Sequence, residues 1–563
     1  MKKNQLLEIE DGWIQKDWRG RISFALVYPN YYNVGMSNLG FQSVYRILNN
    51  IDNVVCERLF LSDHPSPIRS IESGKLLSEF DIIGFSVSFE NDYPNIPGIL
   101  ASSGIPIRAS ERNKGHPLII AGGVAPALNP EPISLFIDCI VIGEAEPLLS
   151  QFIECFHEAA HNKTLFLDQA AKKLPGVYVP SFYEVEYNPN GTISDFYPTR
   201  QGIAPRIKKS ILYNLNSHDT HTQVLTPKTE FASSFLIEMG RGCPHGCRFC
   251  AAGYVFRPPR FRSYEQLKRS IETGVQKANS LGLVSAAMTD IPQLSLLCEE
   301  ILNRGVRISF SSLRADGINK DLADILKKSN NTTATIAPDA GSERLRMVIN
   351  KGITEGDILN ATEILVSAGI PNLKLYFMIG LPTETFEDIK ELTELCKKVK
   401  HVFLKTSRGM RRLGEITISL NCFVPKPHTP FQWVGFEKSV VLKERIKYIK
   451  NELNKVPNIR VHADTPKWAY NQALIARGDR RLAGLLETIN KNQGNWPKAL
   501  KEYSVNPDFY VLRERMFEEK LPWDFIDHGI TKEYLAREYK LALAGKTSPK
   551  CQPNICKACG VCK

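Results

Sequence analysis

The residues best suited to do chemistry lie in GRGCPHGCRFC, residues 240–250, where Cys243, Cys247 and Cys250 are spaced C-x-x-x-C-x-x-C. Thiolates are soft ligands that select zinc or iron–sulfur clusters. A structural zinc site takes four protein ligands, and His245, inside the loop, is the neighbouring residue that could supply the fourth. Three thiolates on a cubane 4Fe-4S cluster instead leave one iron open. A second group closes the chain: Cys551, Cys556, Cys559 and Cys562. Four thiolates so close repel one another unless a cation holds them. Their C-x-x-C-x-x-C run is close to that of bacterial ferredoxins, and a zinc knot held by all four is the alternative.

These residues need elements to position them. Residues 1–160 alternate apolar runs (ISFALVYPN, DIIGFSVSFE, PLIIAGGVAP, DCIVIGEAE) with helical stretches, which predicts a doubly wound parallel sheet covered on both faces. Ligands of such sheets lie beyond the strand C-termini. Residues 161–230 read as a connecting region, with a hairpin around Asn190-Gly191. Residues 231–435 alternate over a longer repeat, with strands expected at SSFLIEMG, LVSAAMT, RISFSSL, TATIAPDA, NLKLYFMIG and ITISLNCFVP. Ser263, Thr354 and Thr385 each open a capping-box pattern. The fold class is therefore α/β: a Rossmann-like domain, then a full or partial TIM-type barrel whose active residues sit at strand C-termini. Residues 436–563 read as a helical C-terminal region ending in the four-cysteine tail.

The chain has 563 residues, 43% hydrophobic and 23% charged, with a formal net charge of +11. That is ordinary globular composition. The N-terminus lacks an apolar h-region and no stretch reaches membrane-span length, so a cytoplasmic protein is expected. Thirteen cysteines, an odd number in a long chain, argue against a disulfide framework. Cys56, Cys139, Cys155, Cys298, Cys396 and Cys422 read as core thiols. The basic runs RIKKS, KKVK and RGMRR read as solvated surface, and RNA is a weakly supported partner.

The cysteine triad directly after the first barrel strand, with Phe249 before its last cysteine, resembles the radical S-adenosylmethionine (SAM) superfamily. The resemblance implies that Cys243, Cys247 and Cys250 ligate a 4Fe-4S cluster whose open iron binds SAM, and that SAM is cleaved to a 5′-deoxyadenosyl radical. APDAGSERLRMVINKGIT, LKLYFMIGLPTETFEDI and FVPKPHTPFQW are similar to later strands of cobalamin-dependent members. By that likeness Asp339, Ser342 and Arg344, with Phe249, would lie near SAM. GLVSAAMTD departs from the commoner Gly-Gly-Glu strand end of the family.

Residues 81–93, 117–133 and 138–146 look like the cobalamin-binding module that precedes many such barrels. The likeness implies corrin contacts from Ser86, Ser88, Gly122, Gly123, Gly143 and Glu144, where small residues would let a bulky ligand approach the backbone. The D-x-H-x-x-G motif of many cobalamin proteins is missing, and its nearest string is DTHTQV at 219–224. The family likeness implies a cobalamin-dependent methyltransferase acting on an unactivated carbon, with an electron donor such as flavodoxin or ferredoxin. A radical rearrangement or cyclisation, RNA methylthiolation, and a non-catalytic metal- or cobalamin-binding regulator are the alternatives.

Overall fold

The computed structural model describes residues 5–62, 67–311, 313–408, 414–553 and 555–562. The basic run RGMRR lies almost wholly outside them. The chain divides into two compact units.

The first unit holds residues 1–233, 474–510 and 518–528. Its centre is a sheet of β1 (Ile22–Tyr28), β2 (Val54–Phe60), β3 (Ile82–Ser86), β4 (Leu118–Gly122), β5 (Cys139–Val141) and β6 (Val177–Tyr178). The spatial order is β2-β1-β3-β4-β5-β6. The first five strands run parallel and β6 antiparallel. β1 and β2 are buried along their whole length, as strands covered on both faces must be. The order reverses between β1 and β3, which makes their C-terminal ends the topological switch point.

Residues 161–230, read from sequence as a connection, belong to this unit. They include the expected hairpin, Tyr183–Tyr187 against Ile193–Pro198, turned at Gly191. Residues 474–510 of the helical region also belong here, tied in by Arg480 to Glu131 at 2.8 Å. Such long-range pairs leave no periodic trace, so sequence pattern could not assign these segments.

The second unit holds residues 234–473, 511–517 and 529–563. Among the described residues, seven parallel strands form a partial barrel in two sheets. One contains β7 (Phe235–Glu238), β8 (Ser280–Val284) and β9 (Arg307–Phe310). The other contains β10 (Thr333–Asp339), β11 (Asn372–Ile379), β12 (Ile416–Cys422) and β13 (Ile459–Ala463). A parallel bridge from Leu313 to Ile336 connects the two.

Five of the six expected barrel strands form where the pattern put them. The remaining one starts three residues early, at Ser280, and the tail of LVSAAMT becomes a loop and the 3-10 turn Met288–Asp290. β13 arises inside the stretch read as helical: IRVHA alternates buried or half-buried with exposed positions, but is only five residues long between two helices. Ser263, Thr354 and Thr385 all cap helices, the latter two with complete capping boxes to Asp357 and Asp388. The six isolated cysteines are buried, as expected of core thiols. No helix among the described residues is long and apolar enough to cross a membrane.

Candidate active site

The triad loop leaves the C-terminal end of β7, where the (β/α) architecture places chemistry. A short antiparallel ladder pins its base, pairing Gly240 with Phe261 and Arg241 with Arg260. Glu238, ending β7, ties the same base by ion pairs to Arg241 at 3.0 Å and Arg262 at 2.8 Å.

Within the loop Cys247 is buried, and Cys243 and Cys250 are partly exposed. Backbone amides point at the sulfurs: that of His245 at Cys243, and those of Ala252 and Gly253 at Cys250. Burial pushes the Cys243 thiol up to about 12 and raises Cys247 and Cys250 as well. Against burial, Lys351 and Arg314 act as cations on Cys247. Burial thus favours the protonated thiols, and a bound cluster would displace those protons. Among the described residues no three His, Cys, Asp or Glu side chains converge on a single-ion site.

The sequence singled out neither cation. Lys351 is 7% exposed and pairs with the Asp339 carboxylate. Asp339 ends β10 after a register shift and has a φ of +63°, a conformation uncommon outside glycine and often found at functional sites. Arg314 follows β9, pairing with Asp316 at 3.0 Å and donating to the Lys351 carbonyl at 2.8 Å. An Arg in the loop after a strand and a Lys just past the helix Glu343–Val348 carry no distinctive spacing, which is why neither was legible.

The residues expected near SAM separate. Asp339 lies within electrostatic reach of Cys247. Ser342 caps the helix Glu343–Val348 and donates to Asp388. Arg344 also holds Asp388 and donates to the Thr383 carbonyl at 2.8 Å. Ser342 and Arg344 therefore meet at the N-terminus of the helix Phe386–Thr406. Phe249 is half-buried in the loop.

His245, the candidate fourth zinc ligand, is buried, and its Nε2 lies 2.8 Å from Asp290. The C-terminal tail packs on the same loop. The Cys551 amide donates to the Pro244 carbonyl at 2.7 Å, and Lys550 lies 3.8 Å from Asp290. Arg248, wholly buried, donates to the carbonyls of Val348 at 2.9 Å and Lys546 at 2.8 Å, and pairs with Glu538 at 3.2 Å. Cys559 is 4% exposed, while Cys551, Cys556 and Cys562 are partly buried. Cys551 lies within electrostatic reach of the other three.

In the first unit, the expected corrin residues cluster at the strand ends. Ser86 and Gly122 are adjacent partners across β3 and β4. Ser88 receives a hydrogen bond from Asn38 at 2.8 Å and meets the Tyr28 hydroxyl. Gly123 has a φ of +115°, and a Cβ there would lie 2.4 Å from the Val87 carbonyl oxygen. Gly143, at +110°, would strike the Ser210 carbonyl at 2.2 Å. Both glycines are thus required by the protein's own backbone, whether or not a ligand approaches them. A Cβ on Gly122 would meet only Val141 at 3.6 Å, an ordinary contact. Glu144 accepts the Leu212 amide at 2.7 Å and holds that segment in place. Sequence reasoning missed the switch-point pair of Asn30 and Asp92, 2.8 Å apart, because neither sits in a motif.

Comparisons with known proteins bear on this geometry. Residues 237–396 match the radical SAM superfamily, and residues 40–180 match the N-terminal domain of radical SAM proteins. An uncharacterized protein of Methanocaldococcus jannaschii is 34% identical over 505 residues, covering 89% of this chain and 97% of that one. The ribosomal protein uS12 methylthiotransferase RimO of Clostridioides difficile is 25% identical over 180 residues, 29% of this chain and 40% of that protein. A solved structure of the radical S-adenosylmethionine methyltransferase TsrM from Kitasatospora setae, with cobalamin and a 4Fe-4S cluster bound, superposes with a TM-score of 0.52. It is 12% identical, and the match covers 86% of this chain and 100% of that one.

Proposed function

We propose, from the premise that this chain belongs to the radical SAM superfamily, that it is a cobalamin-dependent methyltransferase acting on an unactivated carbon. Membership brings a 4Fe-4S cluster and SAM as cofactors. The observation that carries the reading is the triad itself: three thiols after the first barrel strand, with Lys351 and Arg314 as buried countercharge at Cys247. Three thiols plus cations suit an anionic cluster with one open iron better than a closed zinc site.

Cys243, Cys247 and Cys250 would hold the cluster. Asp339, within electrostatic reach of Cys247, is assigned to SAM. Ser342 and Arg344 act on that end of the barrel through Asp388, and Phe249 lines the loop. The cluster and SAM together would supply hydrogen-abstracting radical chemistry. We assign cobalamin to the first unit, where Ser86, Ser88, Gly122, Gly123, Gly143 and Glu144 would hold it and it would supply a methyl carrier. Support comes from the strand order with its switch point, and from the cobalamin bound in the TsrM structure of like fold. The chain's own residues contribute a loop in which Cys247 is buried, with Lys351 and Arg314 acting on it as cations.

The enzyme needs a substrate and a one-electron donor of the flavodoxin or ferredoxin kind, and we assign it to the reducing cytoplasm. The likeness to RimO favours methylthiolation as a second reading. Anaerobic incubation of reconstituted protein with SAM and cobalamin tests the proposal. It requires 5′-deoxyadenosine and a SAM-derived methyl group on cobalamin. Protein that binds no cobalamin yet forms 5′-deoxyadenosine would instead support the second reading.

A further inference from the structure

The four tail cysteines lie outside the matched superfamily segment, yet their segment is laced to the triad loop. The Cys551 amide donates to the carbonyl of Pro244, the residue after Cys243. The preceding residue, Lys550, reaches Asp290, whose other oxygen meets His245. Arg248 holds the Lys546 carbonyl and Ser548, and Asn350 accepts the Ser548 amide at 2.8 Å. A second link runs through Arg257. Its Nε donates to the Gly253 carbonyl at 2.7 Å, and the Gly253 amide points at Cys250. The Arg257 guanidinium acts on Cys551 and Cys559 and packs over Tyr254 and Tyr534.

We infer that Cys551, Cys556, Cys559 and Cys562 hold a second 4Fe-4S cluster that relays electrons to the cluster of the triad. This inference rests on the reading of the triad given above. Cys551 lies within electrostatic reach of the other three thiols and of the Arg257 cation, and Cys559 is buried. Nearby positive charge favours the reduced, more negative cluster and sets its potential. Electron tunnelling falls steeply with distance. The two ligating loops are in hydrogen-bonded contact, one residue from Cys243 on one side and at Cys551 on the other. One electron enters from a reduced flavodoxin or ferredoxin, which is oxidised by one electron. It leaves to the triad cluster, which is reduced by one, and no bond is made or broken in the transfer. The partly exposed Cys556 and Cys562 give the donor an approach.

The test uses full-length protein reconstituted anaerobically with iron and sulfide. Wild type should carry about eight iron atoms per chain, and both Cys551→Ala/Cys559→Ala and Cys556→Ser/Cys562→Ser, which leave only two tail thiols, about four. Cys556 and Cys562 are partly exposed, so their double variant keeps the test open should Cys551→Ala/Cys559→Ala misfold. The electron paramagnetic resonance spectrum of fully reduced wild type should be broadened by coupling between the clusters. It should differ from the sum of spectra from the tail variant and a triad variant. SAM cleavage driven by reduced flavodoxin should drop by an order of magnitude in Cys556→Ser/Cys562→Ser, while dithionite-driven cleavage persists. Zinc in the tail, a spectrum equal to the sum, or equal loss with both reductants would each overturn the relay. Should the triad variant still cleave SAM, the triad assignment falls and the relay with it, whereas the tail's iron count stands independently.

Discussion

The ammonium of Lys351 rests against the carboxylate of Asp339 at the end of β10, and both lie within electrostatic reach of the thiol of Cys247. The pair is almost wholly out of water, so neither charge is cheap to leave alone. Lys351→Met should destabilise the barrel by about 3–5 kcal/mol, the usual consequence of stranding one buried charge. The double variant Lys351→Met/Asp339→Asn should recover part of that loss. Urea unfolding midpoints of the three proteins check this, and a Lys351→Met midpoint equal to wild type would refute it.

Replacing Cys243, Cys247 and Cys250 together by alanine should remove about four iron atoms per chain. It should also abolish 5′-deoxyadenosine formation. Iron analysis with chromatography of the SAM products reads both. Zinc at one equivalent in wild type purified anaerobically would point to the closed four-ligand site.

Gly122 and Gly123 should behave oppositely. Gly123→Ala forces a side chain onto the Val87 carbonyl at a φ of +115°, and should destabilise the first unit by about 1–3 kcal/mol. Gly122→Ala finds ordinary space and should leave stability unchanged while weakening cobalamin binding, if the corrin lies over this strand end. Thermal melts and cobalamin titration separate the two effects. Unchanged cobalamin affinity in Gly122→Ala would move the corrin away from β4.

Asp92 should give the first unit a measurable pH dependence. Burial lifts its carboxyl to about 6; Asn30 opposes this by hydrogen bonding, and Glu90 adds to it. The ordinary value is about 3.9, so the folded state binds this proton more tightly than the unfolded state. Its contribution to stability is therefore full below the unfolded value and is lost as pH rises through the folded one. At about 1.4 kcal/mol per pKa unit, a shift near two units corresponds to about 3 kcal/mol. Asp92→Asn should thus gain on wild type between about pH 4 and pH 7. Denaturation midpoints across that range would contradict the assignment if the gap stayed constant.

The amino-acid sequence by itself determined what depends on spacing along the chain. The C-x-x-x-C-x-x-C run, the caps at Thr354 and Thr385, the hairpin at Asn190-Gly191 and the apolar strands of the first sheet all act over a few residues. Local backbone geometry and hydrogen bonding are enough to specify them. Tertiary structure decided what depends on distant partners. Lys351 and Arg314 reach Cys247 because β9, β10 and the loop after β7 converge at one end of the barrel. Gly123 is glycine because Val87 passes close by. The four-cysteine tail meets the triad loop because Arg248 and Pro244 receive it. These are contacts between residues far apart in sequence, and their positions are set by packing rather than by any local period.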